Sequence, residues 1–179
     1  TRDEALPVAR RLAEIDANDP DRYKKVVLHL GIAEAHDLPT IAPQSVLWAR
    51  HQHVFAGVTT EENKERYFQL LYYQGVRGRQ LADAMKHGND FVSMIALFGW
   101  GRHTDRLNSQ YKPLTFGEIE AEAMRYDKYA RGFDGSRVGI IRLEYLVAPN
   151  EPGAFYDNID QWYQRDAGEV YGKYILYRL

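Results

Sequence analysis

A chain of 179 residues with 45% hydrophobic and 27% charged side chains is long enough for one well-cored domain and short for two. A formal charge of −2 supplies no basic excess for nucleic acid, and the absence of cysteine excludes disulfides, zinc–thiolate sites, iron–sulfur clusters and thiol catalysis. The longest apolar run, Phe91–Trp100, is broken by Ser93 and Gly99 and falls short of the roughly 20 residues that span a bilayer as a helix.

Arg2–Ala17 carries Leu6, Val8, Leu12 and Ile15 near helical spacing and stops at Asn18-Asp19-Pro20-Asp21. Lys25–Leu30 reads as a buried strand. Gly31–His36 reads as a short helix ended by the Leu38-Pro39 step. Ser45–Ala49 is a second expected strand. Thr59-Thr60-Glu61-Glu62 is a capping box, because a threonine and a glutamate three residues apart can each cap the other's backbone N–H. The helix it opens runs to about Gln74 and stops at Gly75. A shorter helix covers Arg79–His87, and Asp90–Phe98 is the third expected strand.

Gly99–Leu114 is a polar loop with Arg102, His103, Asp105 and Arg106. Thr115–Glu118 is a second capping box, opening a helix to about Ala130 that Gly132 closes. Arg137–Val147 is the fourth expected strand, Pro149–Gly153 a turn, Ile159–Arg165 a short helix and Glu169–Arg178 the last strand. Strands that alternate with helices predict a single three-layer α/β domain over residues 1–179, Rossmann-like, with a largely parallel sheet. Such a topology gathers the loops after the first three strands at the carboxyl edge. Those loops hold His36-Asp37, Arg50–His53 and Arg102–Asp105.

The segment Pro39–Gly57 concentrates the reactive groups. His51 and His53 form H-x-H, which on a strand puts both imidazoles on one face, as a metal requires. A third ligand would have to come from His103, His36 or Asp37; polar loop histidines are the plainer reading. Gly99-Trp100-Gly101-Arg102 lacks the third glycine of a dinucleotide loop, and its helix starts too late, so a tight turn with Arg102 exposed is expected. None of the four serines sits in a nucleophile elbow. The acidic clusters at 61–65 and 118–122 fall in first helical turns, where they complement the helix dipole. Trp162 and Tyr163 cap the sheet or stack on a sugar ring.

Five stretches together resemble the soluble C-terminal domain of bacterial polytopic membrane proteins of the glycosyltransferase-C-like class. They are VVLHL, LPTIAPQSVLWA, HVFAG, EENKERYFQLLYYQGV and the closing Gly172-Lys173-Tyr174-Ile175-Leu176-Tyr177-Arg178. The resemblance implies an extracytoplasmic domain, cut from a longer membrane protein, that binds or positions a glycan, a lipid-linked donor or a partner beside a membrane-embedded core. No signal-peptide pattern opens the chain, and both ends read as cuts or as a mature chain whose leader is gone. The expected ligand residues are Trp48, Arg50, His51, His53, Arg102 and His103; no catalytic residue, metal or cofactor is expected, and no nucleic acid. The alternatives left open are a small cytoplasmic Rossmann-like enzyme for a nucleotide or sugar phosphate, and a metal-binding domain built on His51 and His53.

Overall fold

The computed structural model describes residues 2–50, 57–88, 90–103 and 112–179. In chain order the elements are α1 (Arg2–Ile15), β1 (Val26–His29), α2 (Ile32–Ala35), β2 (Ser45–Val46), α3 (Thr60–Tyr73), α4 (Gly78–His87), α5 (Phe91–Phe98), α6 (Trp100–His103), α7 (Phe116–Arg131), α8 (Gly135–Ile140), β3 (Tyr145–Pro149), α9 (Asp157–Asp160), β4 (Glu169–Tyr171) and β5 (Tyr174–Arg178). The chain forms two compact units, one made of Thr1–His51 with Asp134–Leu179, the other of Gln52–Phe133.

The first unit is a mixed α/β structure on a five-stranded sheet of order β2-β1-β3-β5-β4. β1 is parallel to both neighbours, with Val27 opposite Val46 on one side and Tyr145 on the other. β3 and β4 both run antiparallel to β5. The sheet is therefore only partly parallel, contrary to the expectation from strand and helix order. Its antiparallel half comes from Glu169–Arg178, which is two strands rather than one. Gly172, at φ +58°, turns the chain through the two-residue loop Gly172-Lys173, and Tyr171 pairs back on Tyr174.

Alternation of side chains along the strands explains the core. Val27, Val46, Tyr145, Val147, Tyr174 and Leu176 form one apolar face, and α1 lays Ala5, Val8, Ala9 and Leu12 across it at i, i+3, i+4 and i+7. Leu28, Leu146 and Ala148 point to the opposite face and are fully buried. Arg11 makes two bonds to Glu169, at 2.8 and 3.2 Å, which tie α1 to β4.

The second unit is helical. Asp90–Phe98, expected as a strand, is α5: Asp90 caps it by accepting Ser93 N–H at 3.0 Å, and Gly99 closes it. An eight-residue apolar run has no periodicity to separate strand from buried helix, and here the cap decides. Likewise the expected strand over Arg137–Val147 splits into α8, capped by Asp134, and β3. The expected second strand is shorter, Ser45–Val46. Both threonine caps form as read: Thr59 accepts Glu62 N–H, and Thr115 with Glu118 makes the reciprocal box that opens α7. α3 buries Tyr67, Phe68, Leu70, Leu71, Tyr72 and Tyr73. Phe68 packs 5.3 Å from Tyr126, and Tyr72 stacks on Phe133 at 3.8 Å. Pairs of this kind contribute about 0.5–1.5 kcal/mol each beyond their buried area.

Candidate functional site

Trp48 and Arg50 belong to the first unit and Arg102 to the second. Trp48 follows β2 and is 3% exposed, a packing side chain with no open face for stacking. Arg50 is exposed. His51 and His53 lie outside the described residues, as does the side chain of His103, whose backbone ends α6. Arg102 follows a helix rather than a strand, so the carboxyl-edge argument that grouped it with Arg50–His53 fails. Its guanidinium bonds Lys112 O and, at 2.5 Å, Glu118 Oε1, which fastens α6 to the start of α7. Among the described residues no group of three or more His, Asp or Glu is placed to hold a metal ion.

Two polar clusters occupy the α1-covered face of the sheet. At the amino end of β1, Asp16 is 3% exposed. It accepts from Lys25 Nζ, from Gln44 Nε2 at 2.6 Å and from the Tyr145 hydroxyl at 3.0 Å. Burial alone would raise its pKa, but these three donors outweigh burial and hold the carboxylate below its ordinary value. Lys25 also pairs with Asp19 at 2.8 Å, and its ammonium is held well above its usual range. Gln44 Nε2 donates as well to Leu12 O, leaving only Gln44 Oε1 without a partner among the described residues.

The carboxyl end of β1 differs. The chain leaves β1 toward β2 on one side and returns as β3 on the other, and the crevice outside the carboxyl ends at such a reversal is where open α/β sheets take ligands. His29 stands there, 3% exposed. Its Nδ1 accepts the Gly31 N–H at 3.0 Å, which puts the ring proton on Nε2. Nε2 has no partner among the described residues. Burial pushes the imidazole pKa down to about 4 against the opposing charge of Glu34, so the ring is neutral at pH 7. Tyr174 meets the His29 ring edge-on at 5.3 Å. Burial first, then the nearby Glu34 carboxylate, raise the Tyr174 hydroxyl pKa to about 12. A Cβ on Gly31 would lie 2.8 Å from Glu34 Oε2 and 3.1 Å from His29 Cε1, so a side chain there would push the Glu34 carboxylate and the imidazole aside.

Among the described residues of the second unit, two surface depressions differ in character. A groove of about 410 Å³ between α4 and α7 is lined by Arg79, Asp83, Lys86, Glu120 and Asp127 over a floor of small residues. Its charges are committed: Lys86 pairs with Glu120, Arg79 approaches Asp83 at 3.8 Å, and Asp127 accepts Gly78 N–H at 2.7 Å. A hollow of about 150 Å³ lies where α3, α5 and α6 meet. Trp100 forms one wall and is 52% exposed. Thr59, Thr60 and Asn63 supply polar atoms, Ile95 and Ala96 apolar ones, and among the described residues that line it none is charged. Asn63 is fixed by donating to Ala96 O at 2.8 Å. Thr59 Oγ1 already accepts Glu62 N–H, so its own proton is left to donate. Trp100 in turn meets Phe91 edge-on at 6.1 Å.

Sequence reasoning passed over both His29 and Trp100. The available signals were a histidine closing an otherwise apolar run, KVVLHL, and a tryptophan held between two glycines after a helix cap. No protein-family model matches the sequence, and no curated protein and no solved structure is similar to it.

Proposed function

We propose that the chain is a binding module that positions a neutral, hydroxylated ligand, a glycan or the sugar of a lipid-linked donor. In this reading it serves a membrane-embedded, glycosyltransferase-like core at the extracytoplasmic face of a bacterial membrane. The observation that carries the ligand reading is the uncharged hollow walled by Trp100. A sugar ring has an apolar C–H face that stacks on an indole and a hydroxylated rim that bonds threonine and asparagine. An uncharged lining gives a phosphate no counter-charge, so the sugar itself would be gripped. The Rossmann-like, three-layer form belongs to the same proposal, supported by the three adjacent parallel strands β2-β1-β3.

Thermal unfolding with a panel of neutral oligosaccharides and sugar phosphates tests the ligand. A neutral oligosaccharide at 100 times its Kd should add about 2.7 kcal/mol. Trp100→Ala should weaken that ligand at least about tenfold, or 1.4 kcal/mol, while the unliganded chain melts as before. Stabilisation by sugar phosphates alone, or a Trp100→Ala chain that binds equally well, would overturn the reading. The membrane assignment is tested apart from it, by fractionating cells that express the full natural gene product: recovery in the membrane pellet is expected, and a product entirely in the supernatant contradicts it.

A further inference from the structure

We infer that Arg102 is a positioning residue of the Trp100 hollow: its bonds to the start of α7 hold α6 where the indole walls the depression, a role that rests on the binding reading of that hollow. The other walls are built into longer elements. Thr59, Thr60 and Asn63 belong to the cap and first turn of the 14-residue α3, and Ile95 and Ala96 to the buried face of α5. Asn63 Nδ2, donating to Ala96 O at 2.8 Å, joins the two. Trp100 is placed differently. It opens α6, a turn of four residues, and a helix that short does not hold its shape by its own backbone bonds.

The chain brackets that turn on both sides. On the amino side Gly99 closes α5, its N–H donating to Ile95 O at 2.8 Å. It bends at φ +81° and ψ 161°, a backbone conformation essentially confined to glycine, and so sets the direction in which α6 departs. A Cβ at Gly99 would meet nothing within 4 Å, so the backbone angle rather than crowding calls for glycine. On the carboxyl side, two residues beyond Trp100, the Arg102 guanidinium is shared between two acceptors. One nitrogen donates to Lys112 O and another to Glu118 Oε1 at 2.5 Å. Glu118 is a fixed anchor: its Oε2 accepts the N–H and the hydroxyl of Thr115, each at 2.9 Å, in the capping box of the 16-residue α7.

The residue type and its exposure fit this role. A planar guanidinium with several N–H groups reaches a carbonyl and a carboxylate together, where a lysine offers one point charge. The Arg102 and Glu118 side chains are 37% and 45% exposed, so the pair is screened by water and salt and adds little to global stability. A lock of the fold is built otherwise, as Asp16 shows at 3% exposure with three donors. What an exposed pair can govern is a single turn of helix, and Trp100 stands on that turn. The wall of an uncharged hollow therefore depends on salt, through a charge pair outside the hollow.

The test is the ¹H–¹⁵N heteronuclear NOE of the Trp100 indole N–H, read without ligand in the wild type, Arg102→Ala and Glu118→Gln. Glutamine keeps a capping oxygen for Thr115 and drops the charge that holds Arg102. Both variants should lower the Trp100 value, leave the Trp48 and Trp162 indoles unmoved and melt as the wild type does. Salt at about 1 M, where the screening length is about 3 Å, should lower the wild-type Trp100 value toward that of the variants and leave the variants where they are; this arm needs no substitution. Whichever of cellotriose and maltotriose stabilises the wild type should bind both variants about threefold more weakly, the size of one exposed ion pair. A Trp100 indole equally rigid in all three chains and at both salt concentrations overturns the proposal, as does a loosening shared by all three tryptophans, which would make Arg102 a general contact of the fold. Loosening of Trp100 alone, with no oligosaccharide bound by the wild type, would remove the binding reading and leave the positioning; an oligosaccharide bound equally by the wild type and both variants would remove the positioning and leave the binding.

Discussion

The Asp16 cluster and the His29 corner lie on one face of one sheet, at opposite ends of β1, and both are buried and polar. They differ in saturation. Every charge at the Asp16 end has a partner, and its groups come from the residue after α1, the residue before β1, the residue before β2 and β3 itself. The His29 end keeps a donor with nothing to give its proton to. The second unit repeats the contrast at its surface: the larger groove is filled with ion pairs, and the smaller hollow is uncharged with an exposed indole wall. Neither burial nor volume marks a site here. Paired charges fasten elements together.

The largest effect that would break this contrast is at Asp16. Asp16→Ala takes the shared carboxylate from Lys25, Gln44 and Tyr145, leaving Lys25 to Asp19 and Gln44 to Leu12 O, and should lower stability by about 3–5 kcal/mol, read as the urea midpoint at pH 7. A loss below about 1 kcal/mol would mean the cluster is not a lock. The next effect is pH-dependent and belongs to His29. Its folded pKa of about 4 lies below the ordinary 6.5, so its contribution is whole above pH 6.5 and drains away as the pH falls toward 4, by up to about 3 kcal/mol. The groups facing it are Glu34 of α2 and Tyr174 of β5. Glu169, held near 2 by Arg11, works in a separate window: its contribution persists above 4.5 and fades only as the pH falls toward 2. His29→Asn should therefore flatten the stability curve between pH 6.5 and 4 and leave the lower limb intact.

Smaller still is Tyr145→Phe, which removes one donor from the Asp16 carboxylate and should lose about 1.5 kcal/mol by the same urea assay. Smallest is His29→Asn at pH 7, expected within about 1 kcal/mol of wild type, because it keeps the bond to Gly31 and removes a donor that had no partner. If Tyr145→Phe proved harmless and His29→Asn costly, the contrast between a saturated and an unsaturated end of β1 would have to be reversed.

Much of this architecture was legible in the sequence. The two Thr-x-x-Glu boxes announced α3 and α7, because capping is a local bond between residues three apart. The apolar run Val26–Leu30 announced β1, and the stripe Val8–Leu12–Ile15 announced α1. What failed was non-local. Phe91–Phe98 is apolar but for Ser93 and gives no period, and Tyr171–Tyr174 reverses direction at one glycine that the alternating pattern hides. The candidate site was legible only as a neighbourhood. Arg102 was expected to face a ligand, but its partners Lys112 O and Glu118 come from ten and sixteen residues on. That His29 would keep an orphan nitrogen depends on where Gly31, Glu34 and Tyr174 meet, which no spacing rule supplies.

The most direct test of the account is a backbone amide NMR titration of the wild-type chain with a neutral oligosaccharide that stabilises it. The result expected is a saturable set of shifts confined, in the second unit, to residues 58–63 and 95–100 around Trp100, with residues 78–86 and 120–127 of the charged groove unmoved. Shifts centred on the charged groove, with the Trp100 hollow silent, would contradict it.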